Sequence, residues 1–411
     1  MKRRLAPRRG ARLARPISPW RWALLLIAVG PLACSRDAGS RRASDAPDSE
    51  PTAVASTLPL VEVPSPKDAA PSASLSLPNP ALHAQTSSPV VLLAGGDIDL
   101  SRRTGQRILA DATLDPFAQI RPLLQKADLR FANLESQLCE LSGKTRSEHN
   151  SLVFAGPPAG ALVLRRGLLD IVSTANNHAW DFGKRCAQET ILHLRNAGIA
   201  HVGTSADGNA PMRARIVQRN GQRFAFLAVT GIFNDGRLRD HVAREYVADA
   251  DMGAMRKRSE EVRSQVDWVI ASVHVGEEYM HVPVQATRYA LFGAVDAGAD
   301  LVLGHHTHTP QRVEYYQGKP VVMSLGNYVF HQHSDHPWTG WGYLARVRFE
   351  PATRPLVAIC PYHLFNAAPQ PLTEQQRAVF LVHWDAISRL PSSAVRGEPD
   401  ADGCVPLAPP G

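Results

Sequence analysis

From Pro89 onward, short runs of apolar residues alternate with longer stretches whose apolar positions recur at helical spacing. Each short run is rich in β-branched residues and ends at glycine or at polar residues, which is typical of a buried strand. The runs are "PVVLLAGG", "ADLRFANL", "LDIVSTANN", "RFAFLAVTG", "DWVIASVHVG" and "ADLVLGHH". Helical spacing over residues 187–197 and 284–297 predicts helices between them.

The later part of the chain has strand patterns without helical stretches between them, in "QRVEYYQGKPVVMSL", "GYLARVRFE" and "PLVAICPYHL". Strand–helix alternation followed by strands alone predicts an α/β domain with mixed sheets, which we assign to residues 89–370. A helix over residues 374–390 and a flexible tail rich in Pro, Gly and Asp are expected to make up a C-terminal segment, 371–411.

The sequence of the first 88 residues predicts an export signal followed by a tether. "WRWALLLIAVGPLAC" contains an apolar stretch too short to span a bilayer but suited to a signal-peptide core. Residues 1–34 are therefore expected to be a signal peptide, with Cys34 as a lipidated residue. Pro31 departs from the usual lipoprotein pattern, which leaves ordinary cleavage or an uncleaved anchor as alternatives. Residues 35–88, rich in Ser, Ala and Pro, are expected to be a disordered tether.

The formal net charge of +7 does not indicate a nucleic-acid partner. Eight cationic residues and no acidic residue lie within the predicted signal peptide before Trp22, so the remainder of the chain is close to neutral. No stripe of basic and aromatic residues is present either. The expected location is the cell envelope or periplasm, with attachment to a membrane through the lipid on Cys34.

If Cys34 is acylated, four cysteines remain for an oxidising compartment, and up to two disulfides are possible. Their spacings match no zinc motif. A bond between Cys360 and Cys404 would join the tail to the last strand, and free buried cysteines are an equal alternative for Cys139, Cys186, Cys360 and Cys404.

Polar side chains with oxygen or nitrogen donors follow five of the predicted strands. Strand ends of this kind are where sites form in α/β sheets. They are Asp97 and Asp99, Asn133 and Glu135, Asn176 to His178, His274 and Glu278, and His305, His306 and His308. Imidazole, carboxylate and amide donors suit a pair of divalent transition metals (Mn, Fe or Zn), because a carboxylate can bridge two ions.

The ordered set "GD…NLES…FAGPP…ANNHAWDFG…HVGEEY…GADLVLGHHTH…SLGNYVF" resembles the capsule-biosynthesis CapA family (poly-γ-glutamate synthesis) over roughly residues 90–330. That family is assigned to the metallophosphatase, or calcineurin-like phosphoesterase, superfamily. The resemblance implies a four-layer α/β/β/α sandwich with mixed sheets. It also implies a role for each matching position.

By this resemblance, Asp97 and His308 would bind the first metal, and Glu135 would bridge the two metals with Asn133 supporting it. The second metal would be bound by Asn177, His274 and His306. His178 would contact the substrate and protonate the leaving oxygen.

Several positions have open roles. His305 competes with His306 for the same ligand position. Asp99 stands where many members of the superfamily have histidine, so it either binds the first metal or caps a loop. Glu278 either orients His274 or lines its loop, and cations such as Lys144 and Arg146 meet either an anionic substrate or solvent.

Two classes of function follow from the resemblance. The first is an exported metal-dependent hydrolase that acts on a phosphoester or on an anionic polymer. The second is a capsule assembly factor that binds polymer or a membrane capsule-synthesis complex without turnover.

Overall fold

The computed structural model describes residues 88–331 and 335–411; the predicted signal peptide, Cys34 and nearly all of the predicted tether lie outside these ranges. Within these ranges the chain forms eighteen strands: β1 Val90–Ile98, β2 Leu129–Leu134, β3 Gln137–Leu138, β4 Ala155–Gly156, β5 Ile171–Ser173, β6 Ala200–Val202, β7 Arg215–Arg219, β8 Gln222–Thr230, β9 Trp268–His274, β10 Leu301–His305, β11 Val313–Tyr316, β12 Lys319–Val322, β13 Asn327–Val329, β14 Trp341–Phe349, β15 Leu356–Phe365, β16 Ala368–Pro371, β17 Val395–Arg396 and β18 Val405–Ala408. The α-helices are α1 Arg102–Ala110, α2 Arg121–Leu124, α3 Gly160–Arg166, α4 Gly183–Asn196, α5 Met252–Arg263, α6 Gln285–Asp296 and α7 Glu374–Ile387.

Two large sheets organise these elements. Sheet 1 has ten strands in the order β17-β18-β15-β14-β1-β2-β5-β6, with β13 beside β1 and β16 beside β15. Sheet 2 has six strands in the order β11-β12-β10-β9-β8-β7. Each sheet combines parallel pairs, such as β1 with β2 and β9 with β10, with antiparallel pairs at its flank. The prediction of mixed sheets is confirmed.

The sheets pack face to face because residues of each strand alternate between two buried faces. Phe131 of sheet 1 stacks on Phe226 of sheet 2 with ring centroids 5.6 Å apart, inside the core between the sheets. On the outer face of sheet 1, Leu93 packs with residues of α1 to α4 such as Leu194. On the outer face of sheet 2, α5 and α6 contribute Met255 and other apolar residues. The layers are therefore helix, sheet, sheet, helix, as expected.

The C-terminal segment differs from the expected flexible tail. After α7, which begins with a Thr373–Gln376 capping box, the chain returns to sheet 1, where β18 pairs with β15 and β17 pairs with β18. Val405 and Leu407 are buried against the core between the sheets. The Pro- and Gly-rich composition gave no indication of these two short strands, which belong to the folded domain and of which β17 forms the edge of sheet 1.

The described part of the chain contains two disulfides, Cys139–Cys186 and Cys360–Cys404, with sequence separations of 47 and 44 residues. The second joins β15 to the loop before β18, as one of the sequence alternatives had it. The first was not anticipated by any pairing. It attaches the segment after β3 to the first turn of α4.

Replacing Cys360 and Cys404 together by alanine is expected to lower the free energy of unfolding by about 4 kcal/mol, since closing a loop of this length restricts the unfolded chain. Urea denaturation of the oxidised protein and of the variant measures the difference. A loss below about 1 kcal/mol would contradict the expectation.

Within the described ranges, no helix is both long and apolar enough to cross a membrane.

Candidate metal centre

Strand pairing brings the polar strand ends of both sheets to one place. In sheet 1, Asp97 of β1 lies opposite Asn133 of β2 and opposite Asn327 of β13. In sheet 2, His305 at the end of β10 lies opposite His274 at the end of β9. The carboxyl ends of these parallel strands meet at the same edge, which is the arrangement that sequence analysis predicted.

Two groups of buried side chains in this region have the composition and spacing of metal ligands. One consists of Glu135, His274 and His306, and the other of Asp97, Glu135 and His308. Within each group the donor atoms lie within 4.8 Å of one another. Glu135 belongs to both, with its Oε1 3.6 Å from His308 Nε2 and 4.0 Å from His274 Nε2.

The carboxylate of Glu135 is fully buried, and neither of its oxygens has a hydrogen-bond partner within the described residues. A buried carboxylate without a partner is costly unless a cation or a proton compensates it. Close by, His274 Nε2 lies 2.8 Å from Asn177 Oδ1 and 3.2 Å from His306 Nδ1. These donor atoms converge as they would around an ion, so the residues fit a metal.

The backbone that presents His306 and His308 is strained. Their φ angles are +94° and +56°, in the region that disfavours L-residues, and such strain is characteristic of functional sites. His306 N donates a hydrogen bond to Asp97 Oδ2 at 3.1 Å, which joins the turn after β10 to β1. His308 Nδ1 lies 2.9 Å from Asn327 Oδ1, so a hydrogen bond there leaves Nε2 directed at Glu135.

The lowered pKa values of the three histidines favour metal binding. Burial lowers the pKa of His306 to about 4, and it also lowers the pKa of His274 and His308. These imidazoles are therefore neutral at pH 7 and keep a lone pair for a cation. Burial, together with the charge of Asp97, raises the pKa of Glu135 well above its usual range. Burial would also raise the pKa of Asp97, but the surrounding histidines, His305 foremost, hold it below the usual range.

His178 lies beside this cluster, in the loop between β5 and α4. Its Nδ1 is 2.9 Å from Asp181 Oδ2, and its ring stacks on Phe154 with centroids 4.0 Å apart. Asp181 also accepts a hydrogen bond from Phe154 N at 2.9 Å, which fixes the carboxylate. The arrangement leaves His178 Nε2 available for proton transfer. Asp181 was not predicted as a site residue, although its place three residues after His178 in "NNHAWDFG" indicates a possible partner for that imidazole.

The loop that carries His178 is held by neighbouring side chains. Gln137 donates from Nε2 to Ala179 O at 2.9 Å and accepts from Phe182 N at 2.7 Å. The Cys139–Cys186 disulfide closes the same region two residues beyond Gln137. The positions of Asn177 and His178 therefore depend on the segment that follows β2 and Glu135.

Asp99 lies outside both ligand groups. Its Oδ1 accepts from Ser101 N at 2.8 Å, and its Oδ2 accepts from Arg102 Nη2 at 2.8 Å and Nε at 3.0 Å. Both oxygens are thus engaged in capping the turn before α1. Asp99 therefore caps the loop, which is one of the two roles that the sequence left open.

The remaining candidates are placed as follows. Asn133 donates from Nδ2 to Asp97 Oδ1 at 2.9 Å, and its Oδ1 accepts a hydrogen bond from Asn176 Nδ2 at 3.1 Å. His305 is buried with Nδ1 3.3 Å from Asp97 Oδ1, outside both ligand groups, which contain His306 instead. Glu278 is exposed and lines a cavity of about 480 Å³ together with Asn177 and His178.

Comparison with known proteins gives the family. The family model described as "Bacterial capsule synthesis protein PGA_cap" matches residues 91–332. The capsule biosynthesis protein CapA of Bacillus anthracis is 24% identical over 287 residues, 68% of this chain and 68% of that protein. The PGA biosynthesis protein CapA of Bacillus subtilis (strain 168) is 25% identical over 248 residues, 59% of this chain and 63% of that protein. The chain therefore spans about two thirds of the length of these curated relatives.

Among solved structures, the chain is similar to the Haemophilus influenzae NAD nucleotidase NadN. The match extends over 73% of this chain and 63% of that chain, at 12% identity and a TM-score of 0.44. The assignment of the layers comes from the strand order and packing given above, and that of the family from the sequence match. Since the family model spans more than half of the sequence, the chain belongs to the bacterial capsule synthesis protein family PGA_cap.

Proposed function

We propose that this protein is an exported member of the capsule-synthesis family that hydrolyses a linkage in an anionic polymer or phosphoester at a dinuclear metal centre. The observation that carries the proposal is the position of Glu135, which is shared by two ligand groups and has no hydrogen-bond partner within the described residues. A carboxylate shared between two sets of imidazole and carboxylate donors is suited to bridging two divalent transition metals, Mn, Fe or Zn.

One metal would be held by Asp97, Glu135 and His308, and the other by Glu135, His274 and His306, with Asn177 beside the second group. When bound, such a pair supplies activation of water and stabilisation of negative charge on the group that is attacked. His178 would donate a proton to the leaving atom, the oxygen of a phosphoester or the nitrogen of an amide, with Asp181 holding its ring by the Nδ1 contact. The cavity of about 480 Å³ beside His178 provides space for the leaving group.

Export and membrane attachment are part of the same proposal. The apolar stretch before Cys34 supports secretion and lipidation. The two disulfides favour an oxidising compartment, since such bonds persist in secreted and periplasmic proteins. The names of the relatives, which refer to capsule and PGA biosynthesis, support an anionic polymer as substrate and a membrane capsule-synthesis complex as partner.

Metal content tests this proposal. Elemental analysis of the purified chain after loading with Mn²⁺, Fe²⁺ or Zn²⁺ is expected to give about two ions per chain. The His306→Ala/His308→Ala double variant should lose them, and His193→Ala on the outer helix α4 is the matched control. A folded chain that takes up no metal would refute the hydrolase and leave a non-catalytic assembly factor as the function.

The proton-donor role of His178 gives a separate prediction. His178→Ala should keep the metal content and lower the turnover of an alkyl phosphodiester about 100-fold or more, since that leaving group needs a proton. Hydrolysis of bis(p-nitrophenyl) phosphate, whose leaving group is a weaker base, should decrease much less. An equal loss on both substrates, or loss of the metal, would contradict the role.

A further inference from the structure

A basic groove of about 790 Å³ lies between the start of α1 and the segment 143–151. Four cationic side chains line it, against one carboxylate, that of Glu148; they are Arg102, Arg103, Lys144 and Arg146. Neither the metal ligands nor His178 contribute to its lining. The groove is thus a separate feature with an excess of positive charge.

Two of these cations are compensated and two are not. Arg102 pairs with Asp99 at 2.8 Å, and the exposed Lys144 pairs with Glu148 at 3.0 Å. Within the described ranges, Arg103 and Arg146 have no carboxylate partner. Guanidinium groups form paired hydrogen bonds with carboxylates or phosphates, so an anionic ligand would find two uncompensated partners here.

The groove adjoins the metal centre through Arg102. The guanidinium carbon of Arg102 lies 4.2 Å from the centre of the Phe154 ring and 5.4 Å from that of Phe330. Phe154 stacks on His178, and the Phe330 ring lies 4.7 Å from that of His308. A single layer of aromatic rings, those of Phe154 and Phe330, therefore lies between Arg102 of the groove and the site residues His178 and His308.

The cavity on the other side of the segment 143–153 has different chemistry. Trp180, Phe233, Asp235 and Glu278 contribute to its lining, and among its lining residues there is no Lys or Arg. Both spaces end near His178, one through Phe154 and one directly. The surface around the candidate centre is thus basic on one side and aromatic and acidic on the other.

We propose that the basic groove holds an anionic stretch of a polycarboxylate chain while the linkage to be cleaved lies at the metal centre. The leaving group then faces the aromatic and acidic cavity, which disfavours a second long anionic stretch on that side of the linkage. This assignment rests on the proposed function, since it places the groove beside a reacting linkage. Arg103 and Arg146 are then the residues that select a negatively charged substrate.

Binding of fluorescently labelled poly-γ-glutamate to the purified full chain, followed by anisotropy, tests the groove. Arg103→Gln/Arg146→Gln should weaken binding about tenfold or more and reduce its dependence on salt, since two charge-assisted contacts are lost. The matched control is Arg256→Gln/Lys257→Gln, which removes two exposed cations from α5 on the outer face of sheet 2. Metal content and circular dichroism are measured on every variant.

The outcomes separate the two proposals. Equal weakening by both double variants, or unchanged binding in the groove variant, overturns the groove whatever the metal content. Tighter binding of inorganic polyphosphate than of poly-γ-glutamate overturns the carboxylate assignment. Groove-dependent binding in a chain that holds no metal supports the groove and refutes the hydrolase.

Discussion

Replacing Glu135 by glutamine should reduce the metal content of the loaded protein from about two ions per chain to less than one. Glutamine has nearly the same shape but cannot supply the negative charge that both ligand groups share. Loss of supporting contacts alone costs metal sites about 10- to 100-fold in affinity, so loss of a bridging ligand is expected to exceed about 100-fold. Elemental analysis and titration with Zn²⁺ or Mn²⁺ measure both quantities. Retention of two ions would show that Glu135 does not bridge.

The metal-free form of the same variant is a control for folding. In the wild-type chain, burial keeps Glu135 protonated at pH values where the unfolded chain has already lost that proton, above its ordinary pKa of 4.5. Folding of the wild-type chain therefore weakens, relative to the variant, by about 1.4 kcal/mol for each pH unit above that value, until the folded carboxyl itself ionises. Urea denaturation of both metal-free chains between pH 5 and pH 8 should show the variant's advantage growing with pH, and a constant difference would contradict the raised pKa.

Replacing Gly304 by alanine is expected to prevent the native fold from forming, or to remove about 5 kcal/mol or more of its stability. A Cβ atom at this position would lie 2.1 Å from Met323 O and 2.8 Å from Val322 O. These are backbone atoms, so no side-chain rotation relieves the overlap, and β10 would have to move away from its neighbour. Because His305, His306 and His308 follow directly, the displacement also disrupts the metal centre. Thermal unfolding and metal content measure the two effects.

Gly143→Ala provides the matched comparison. Gly143 has a φ of +77° with nothing within 4 Å of the added Cβ, so only the cost of a left-handed alanine applies, about 1 kcal/mol. A similar small effect at Gly304 would mean that the close approach of β10 to residue 323 does not exist in solution.

Much of the candidate site could be predicted because its residues follow strands. Asp97, Glu135, His274, His306 and His308 each come after a buried apolar run, and parallel strands end at a common edge. The competition between His305 and His306 could not be resolved from sequence, because the direction of each ring depends on the left-handed turn after β10.

Other features depended on contacts that a pattern does not contain. The strand β13 runs beside β1 and brings the amide of Asn327 to His308, a contact that no strand pattern indicates. The role of Asp99 was decided by Arg102, whose side chain folds back over the start of α1. The strands β17 and β18, of two and four residues, are too short to be recognised from the pattern. They are stable because β15 offers an edge and Cys360–Cys404 holds the loop beside it.

The candidate ligands are divided between the two sheets. In sheet 1, Asp97 lies in β1 and Glu135 directly follows β2; in sheet 2, His274 ends β9, and His306 and His308 follow β10. Across the apolar core between them, the sheets are held by non-directional packing, which tolerates small sliding motions. Metal–ligand distances tolerate almost none. Occupancy of the centre would therefore fix the alignment of the two halves of the molecule, and a chelator would act on the mechanical stiffness of the whole domain as well as on its chemistry.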